Sequence, residues 1–311
     1  IHTSTGAEEH VIGKCFLDIA VLYETLKDTD NAIIFYQKCL DACKNPSNEE
    51  SKKLRIESYN HIGEIQLHIL EDHDTAMEYF SKALSPAISY YGDKHAKVGF
   101  IMRHIGIIHY YKKEYDKALE YFLKFEERHN NEEDIHTAMI YSIMGMLFKL
   151  KNKSKLGITY FNKCLSIRLA LLGENNEEVA ETYQDLSEAY EQKNDYKSAN
   201  LHLLKALKII LATKGFFNEK VANMFYSLSY QCRHMEEYEK AIEYMEKSLK
   251  IRLKVLEEDH LLITHCYHVL GDYHLNLEKY EEAVSLYKKA IEIREKTLGM
   301  KNVYTLMSYW G

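Results

Sequence analysis

Small, apolar and aromatic residues recur at helical spacing along this chain, each stripe set among charged neighbours. In "LLITHCYHVLGDYHLNLEKYEEAVSLYKKAIEIREKTLG", Tyr267, Leu270, Gly271 and His274 fall at i, i+3, i+4 and i+7, one face of a helix. "LEKY" interrupts the stripe, and Ala283, Leu286, Tyr287 and Ala290 resume it. The pattern predicts two helices joined by a short turn. Small residues let their backbones approach, and large aromatics fill the space beside them.

The unit repeats. Lys38, Lys82, Lys124, Lys163, Lys205, Lys247 and Lys289 follow one another at steps of 44, 42, 39, 42, 42 and 42 residues. A second register holds Ala20, Gly63, Gly106, Gly145, Ser187, Ser229 and Gly271, and a third holds Ala32, Ala76, Ala118, Gly157, Ala199, Ala241 and Ala283. Three registers in agreement predict an all-α array of helical hairpins over 1–311. The units fall at about 8–45, 49–92, 93–130, 132–173, 174–215, 216–257 and 258–299. One hairpin cannot bury its apolar stripe alone, so neighbours must stack into a continuous core.

The corners carry their own signals. Gly92, Gly173, Gly215 and Gly299 stand where closing helices should end, in the left-handed conformation that satisfies the last carbonyls. Glu257 occupies that place in one unit, so its corner should end differently. The turn "LEDHDT" holds one extra residue, and Pro46 and Pro86 occur only in the first two units. The 39-residue step spans "FEERHNNEEDIH", where a change of twist is expected around 126–136. "KNVYTLMSYWG" places Tyr309 42 residues after Tyr267, so 300–311 read as the first helix of an eighth repeat or a terminal helix. Met307, Tyr309 and Trp310 are poor choices for a polar cap. With Ile1 in place of a starting methionine, a fragment or processed chain is expected.

"YQDLSEAY" followed by "ANLHLLKA" resembles the tetratricopeptide repeat (TPR), and the likeness covers seven repeats. The usual period is about 34 residues. The period here is mostly 42, and "IREKTLG", "GDKHAKVG" and "GENNEEVAETY" resemble the long repeats of kinesin light chains and nephrocystin-3-like proteins. The resemblance implies a TPR α-solenoid: a right-handed superhelix with a concave groove that receives a partner. It also implies a cytoskeletal, transport or ciliary setting.

Composition narrows the remaining classes. With 40 basic against 47 acidic residues the formal charge is −7, which argues against a general nucleic-acid binder. No apolar run reaches the ~20 residues of a membrane helix, so no insertion is expected. Six cysteines without Cys-x-x-Cys spacing suggest a reducing compartment, hence the cytoplasm. Cys39, Cys164 and Cys232 fall at core positions and read as small buried hydrophobes.

No phosphate-binding glycine loop, His-Glu-x-x-His motif or nucleophile elbow is present, so neither catalysis nor a cofactor is expected. His265, His268 and Asp272 share one helix face and could in principle ligate a metal, but the family fold turns that face to the groove. No metal is expected there. First helices read at one offset give Asn60, Arg103, Ser142, Gln184, Tyr226 and His268, and one turn on Glu64, Ile107, Met146, Glu188, Tyr230 and Asp272.

Kinesin light chains carry asparagine at the first offset, and only Asn60 keeps it, so their peptide specificity does not transfer. Glu181, Glu188 and Glu191 make the middle acidic, while Tyr226, Tyr230 and Arg233 make the next unit aromatic and cationic. The expected ligand is a peptide with a basic segment and an apolar anchor, lying across 181–233. The candidate groove set is therefore Asn60, Arg103, Gln184, Glu188, Glu191, Tyr226, Tyr230, Arg233, His265, His268 and Asp272.

The sequence points to a non-catalytic interaction scaffold or adaptor with a protein or peptide partner. The alternatives are a Rap-like peptide-sensing receptor and the recognition arm of a larger enzyme.

Overall fold

The computed structural model describes residues 2–44, 48–128 and 134–298. The described residues form fourteen α-helices and no strand. Their contacts divide the chain into two compact units, Ile1–Glu132 and Glu133–Gly311.

Unit 1 contains three hairpins: α1 (His2–Thr25) with α2 (Thr29–Ala42), α3 (Glu49–His68) with α4 (His73–Tyr91), and α5 (Ala96–Tyr111) with α6 (Tyr115–Arg128). Unit 2 contains four: α7 (Ile135–Leu150) with α8 (Ser154–Leu172), α9 (Glu177–Gln192) with α10 (Tyr196–Lys214), α11 (Glu219–His234) with α12 (Tyr238–Val255), and α13 (Leu261–Asn276) with α14 (Tyr280–Leu298). The expected helix–turn–helix succession is present in both. The twist change expected over 126–136 centres on residues outside the described ones. Pro46, Gly299 and the start of an eighth unit at Met307, Tyr309 and Trp310 also lie outside them.

The second register marks where hairpins close. A Cβ added to Gly106 would lie 2.6 Å from the ring of Phe122, and one on Gly271 2.6 Å from the ring of Tyr287. Gly63 and Gly145 meet Phe80 and Phe161 in the same way. In these four hairpins the aromatic of the second helix thus rests on the bare backbone of its own first helix.

Glycine also ends second helices. Gly92, Gly173 and Gly215 have φ of 88°, 78° and 76° with ψ of 150°, 170° and 176°. The positive φ was expected, but ψ is extended rather than left-handed helical, in a region essentially reserved for glycine. Where Glu257 replaces glycine, α12 stops at Leu256 in extended conformation (φ −119°, ψ 163°). Asn176, Asn218, His95 and His260 then cap the following first helices, each side chain accepting from a backbone N–H two residues on.

Turns inside the hairpins use another device. Lys27, Glu71, Lys113, Asn152, Asn194, Glu236 and Glu278 all take φ between 53° and 60°. Glu71 comes one residue late relative to the small-residue register, the imprint of the extra residue in "LEDHDT".

The recurring closing phrase has a structural meaning. Lys163, Lys247 and Lys289 hold their ammonium groups 5.0, 5.4 and 5.6 Å from the ring centroids of Tyr160, Tyr244 and Tyr267. Buried Arg168 donates from Nη1 to the Glu178 carbonyl and to Thr182 Oγ1, both at 2.9 Å. Arg252 donates equivalently to the Leu262 carbonyl at 3.2 Å and Cys266 Sγ at 3.1 Å, and from Nη2 to Asn223 Oδ1 at 3.1 Å. Each arginine ties its closing helix to the first helix of the next hairpin. Cys39, Cys164 and Cys232 are buried, as their register implied.

Candidate functional site

Within each unit the first helices lie side by side and are linked across by side chains. In unit 2, Lys149 on α7 pairs with Glu188 on α9 (2.5 Å), and Lys220 on α11 pairs with Glu181 on α9 (3.3 Å). Gln231 on α11 is fully buried and donates from Nε2 to Ser187 Oγ (3.0 Å) and Glu191 Oε2 (3.3 Å). Every acid expected to make this middle region acidic therefore has a partner on a neighbouring first helix. Glu181 and Glu188 nevertheless stay about half exposed (52% and 51%) and can still meet a ligand. Gln184 is half-buried on the same helix.

Asp185 stands among these charges. Burial raises the pKa of its carboxyl to about 6 against the pull of Lys149, with Glu188 and Glu181 adding smaller repulsions and Arg168 a smaller pull. It is half-buried, at the offset held by His61 and His104 in unit 1.

Further along the face, the Tyr226 hydroxyl lies 2.9 Å from His265 Nε2, with the rings 5.5 Å apart. The Arg252 guanidinium sits 5.3 Å from the Tyr226 centroid. Burial, then the positive charges of Arg294 and Arg252, lower the His265 pKa below its ordinary value. A neutral imidazole can accept the tyrosine proton at Nε2. Tyr230 packs edge-on to His234 at 4.4 Å, and His234 stacks on Tyr196 at 4.3 Å. Arg233 is exposed and makes no ion pair among the described residues. His268 Nε2 lies 3.9 Å from Asp272, whose Oδ1 accepts from Tyr287 OH at 2.7 Å. Among the described residues no three His, Cys, Asp or Glu side chains are placed to share a metal ion.

Unit 1 carries the two remaining predicted positions. Asn60 Nδ2 donates to Glu64 Oε1 at 2.8 Å, and Arg103 Nη2 lies 3.4 Å from His104 Nε2. A ladder of charge crosses three helices here. Tyr36 OH donates to Glu24 Oε2 (2.5 Å), the same oxygen lies 3.4 Å from His61 Nδ1, and His104 Nε2 stands 3.9 Å from Glu64. His61 and His104 stack at interplanar angles of 6° on Tyr36 and Phe80 of the preceding second helices. Burial alone would lower the His61 pKa, but Glu24, Glu64 and Glu57 outweigh it and raise it.

The offset reading also included positions unavailable to a ligand. Ser142 and Ile107 are buried at 8% and 3% exposure, so the stripe of one repeat does not transfer intact to the next. Lys149, Lys220, Asp185, Gln231 and Arg252 were missed. Lys149, Lys220 and Gln231 matter through cross-helix partners 39–44 residues away, and Arg252 through partners 10, 14 and 29 residues away; a lone lysine or glutamine on a periodic helix carries no mark of such a partner. The repeat of "IR" at Arg168, Arg252 and Arg294 was the one available signal.

A tetratricopeptide repeat family model matches residues 54–128, 136–212 and 220–296, and a second tetratricopeptide repeat model matches 14–46. The chain belongs to the tetratricopeptide repeat family. Among solved structures it is similar to the nearly identical TPR-like repeats of a Podosopora anserina protein named as a kinesin light chain (TM-score 0.55, 14% identity, 66% of this chain and 98% of that one). It is also similar to BtubC (BKLC) from P. vanneervenii (TM-score 0.52, 16% identity, 81% and 91% covered). A third is the apo form of RapI (TM-score 0.57, 16% identity, 95% and 79% covered). No curated protein sequence matches significantly. These identities speak to the fold alone. No helix among the described residues is long and apolar enough to cross a membrane.

Proposed function

We propose that this protein is a non-catalytic adaptor that holds a partner peptide or protein on the first-helix face of unit 2. The observation that carries the reading is the character of α9, α11 and the start of α10 there. Glu181 and Glu188 are half exposed beside an aromatic patch of Tyr196, Tyr230 and His234, with the unpaired Arg233 at its edge. Aromatic and arginine side chains are the residue types that concentrate binding energy at interfaces. The partner is a segment with an apolar anchor for the aromatic patch and a basic stretch for the α9 carboxylates. Its salt dependence should be modest, because Lys149 and Lys220 already neutralise part of that acidity. Asn60 and Arg103 are a separate candidate contact on unit 1.

The kinesin-light-chain structural neighbours support a cytoskeletal or transport setting in the cytoplasm. A photo-crosslinking amino acid at Arg233 tests the reading, with the same residue at Lys208 on the exposed side of α10 as control. The reading expects partner adducts from position 233 and none from 208, and the reverse would overturn it. The fold match to RapI over 95% of the chain favours a second reading, a Rap-like receptor for a short signalling peptide. A change in hydrogen exchange far from position 233 on peptide binding would support that one.

A further inference from the structure

Arg168 and Arg252 occupy the same place two repeats apart, buried at 8% and 3% exposure. Nη1 of each donates to the backbone carbonyl ten residues on, that of Glu178 in one case and of Leu262 in the other. The two sites part at Nη2. In the first it faces the Glu178 carboxylate, with Oε2 at 3.2 Å. In the second Leu262 stands where that carboxylate should be, and Nη2 donates to the neutral Asn223 Oδ1 at 3.1 Å. The remaining acceptor, Cys266 Sγ, belongs to a buried thiol whose pKa burial raises.

Arg252 therefore has three acceptors, none of them a carboxylate, and forms no ion pair among the described residues. A guanidinium taken out of water without a counter-charge is costly to hold. Its charge is felt nearby, since after burial the charges of Arg294 and Arg252 lower the His265 pKa. The vacant counter-charge position is also reachable from solvent. Glu178, which fills the equivalent place, has a side chain 45% exposed, while Asn223 is exposed and Leu262 half-buried.

We propose that Arg252 receives a carboxylate from outside the chain, at the place that Glu178 fills for Arg168. The source, an acidic side chain or a terminal carboxylate of the partner segment, rests on the assignment of this face to a partner. Asn223, Tyr226 and Tyr230 fall at i, i+3 and i+7 on one face of α11. The carboxylate site and the aromatic patch at Tyr230 thus stand ~10 Å apart along the helix, about three residues of extended chain. The partner segment then carries an acid that far from its apolar anchor, besides the basic stretch that meets α9.

NMR of the full chain, following the Arg252 Nε–Hε resonance, tests the site without the partner. Arg252→Lys identifies the resonance by its loss. The probes are N-acetylglutamate α-amide, with a side-chain carboxylate, and N-acetylalanine, with a terminal one. N-acetylglutamine amide is the neutral control, all at constant ionic strength. A carboxylate probe should shift the resonance saturably, with a dissociation constant of roughly 10–100 mM, as a single charge-assisted contact implies. The tighter probe names the source. Asn223→Asp and Leu262→Glu each supply the counter-charge from within the chain. Both should weaken probe binding at least about tenfold, with a melting temperature no lower than the wild type's.

No saturable shift from either carboxylate, an equal shift from the neutral control, or probe binding that survives Asn223→Asp overturns the site. Probe binding that Asn223→Asp abolishes, with a partner whose affinity that variant leaves unchanged, upholds the site and removes the partner as the source of its carboxylate.

Discussion

The Tyr226 hydroxyl on α11 and Nε2 of His265 on α13 meet at 2.9 Å, joining two residues 39 positions apart in sequence. This contact couples neighbouring hairpins on the face assigned to the partner. It depends on His265 being neutral, which its surroundings enforce through burial and the charges of Arg294 and Arg252. Removing the hydroxyl with Tyr226→Phe takes a donor from the neutral imidazole and should raise the His265 pKa towards its ordinary value. A long-range ¹H–¹⁵N titration reads this directly. An unmoved titration curve would mean that the hydroxyl does not donate to Nε2.

Two histidines should drive opposite pH responses in the two units. His61 has a raised pKa, so the folded state binds its proton more tightly than the unfolded chain. Its contribution is complete below pH ~6.5 and is lost as pH rises through the folded value. His265 has a lowered pKa, so its neutral form is favoured, and stability falls as pH drops below ~6.5 and the unfolded chain takes up the proton first. Hydrogen exchange corrected for intrinsic rates should show α3 loosening from pH 6 towards 8 and α13 loosening towards acid. Glu24→Gln should flatten the first response and leave the second intact. Loss of both, or of neither, would contradict the assignment.

Asp185 predicts a stabilising substitution. A carboxyl whose pKa is raised to about 6 is held ionised at neutral pH against the preference of its surroundings. Asp185→Asn should stabilise unit 2 by about 1–3 kcal/mol at pH 7.5. The gain should shrink below pH 5, where the wild-type group is already protonated in the fold. Chemical denaturation at the two pH values compares them.

Gly106 tests the helix contact that defines each hairpin. A methyl group placed 2.6 Å from the Phe122 ring forces α5 and α6 apart, so Gly106→Ala should cost about 1–3 kcal/mol. Adding Phe122→Leu should recover much of that loss, because the chain itself pairs Ser187 and Ser229 with Leu203 and Met245 at the equivalent places. A neutral Gly106→Ala in a melting experiment would show that the hairpins close by other means.

Arg252 tests the link between hairpins. Arg252→Met removes the guanidinium from the Leu262 carbonyl, Asn223 and the buried Cys266 Sγ and should cost about 1–3 kcal/mol. Arg252→Lys should fail to restore it, since an ammonium cannot span acceptors reached by two guanidinium nitrogens. Hydrogen exchange should localise the loss to the start of α13.

These particulars mark what could be read from the sequence. The hairpins, the small-residue register and the glycine corners were legible, because each rests on a local backbone requirement that only a few residue types satisfy. Turn positions such as Lys113 and Glu236 were not, since a charged residue at positive φ leaves no compositional trace. The candidate face was legible as a list of positions but not as a surface. Whether Glu188 is an open carboxylate or half of a pair depends on Lys149, and only packing brings the two together.

The claim that unit 2 recognises its partner through the first-helix face is tested most directly by affinity. The partner captured by the full chain and identified by mass spectrometry would be titrated against the wild type, Tyr230→Ala with Arg233→Ala, and Lys208→Ala on the exposed side of α10. Loss of at least about tenfold in the double variant (~1.4 kcal/mol or more), with Lys208→Ala unchanged, is the predicted result. Equal binding by the double variant and the wild type, with an unchanged melting temperature, would contradict it.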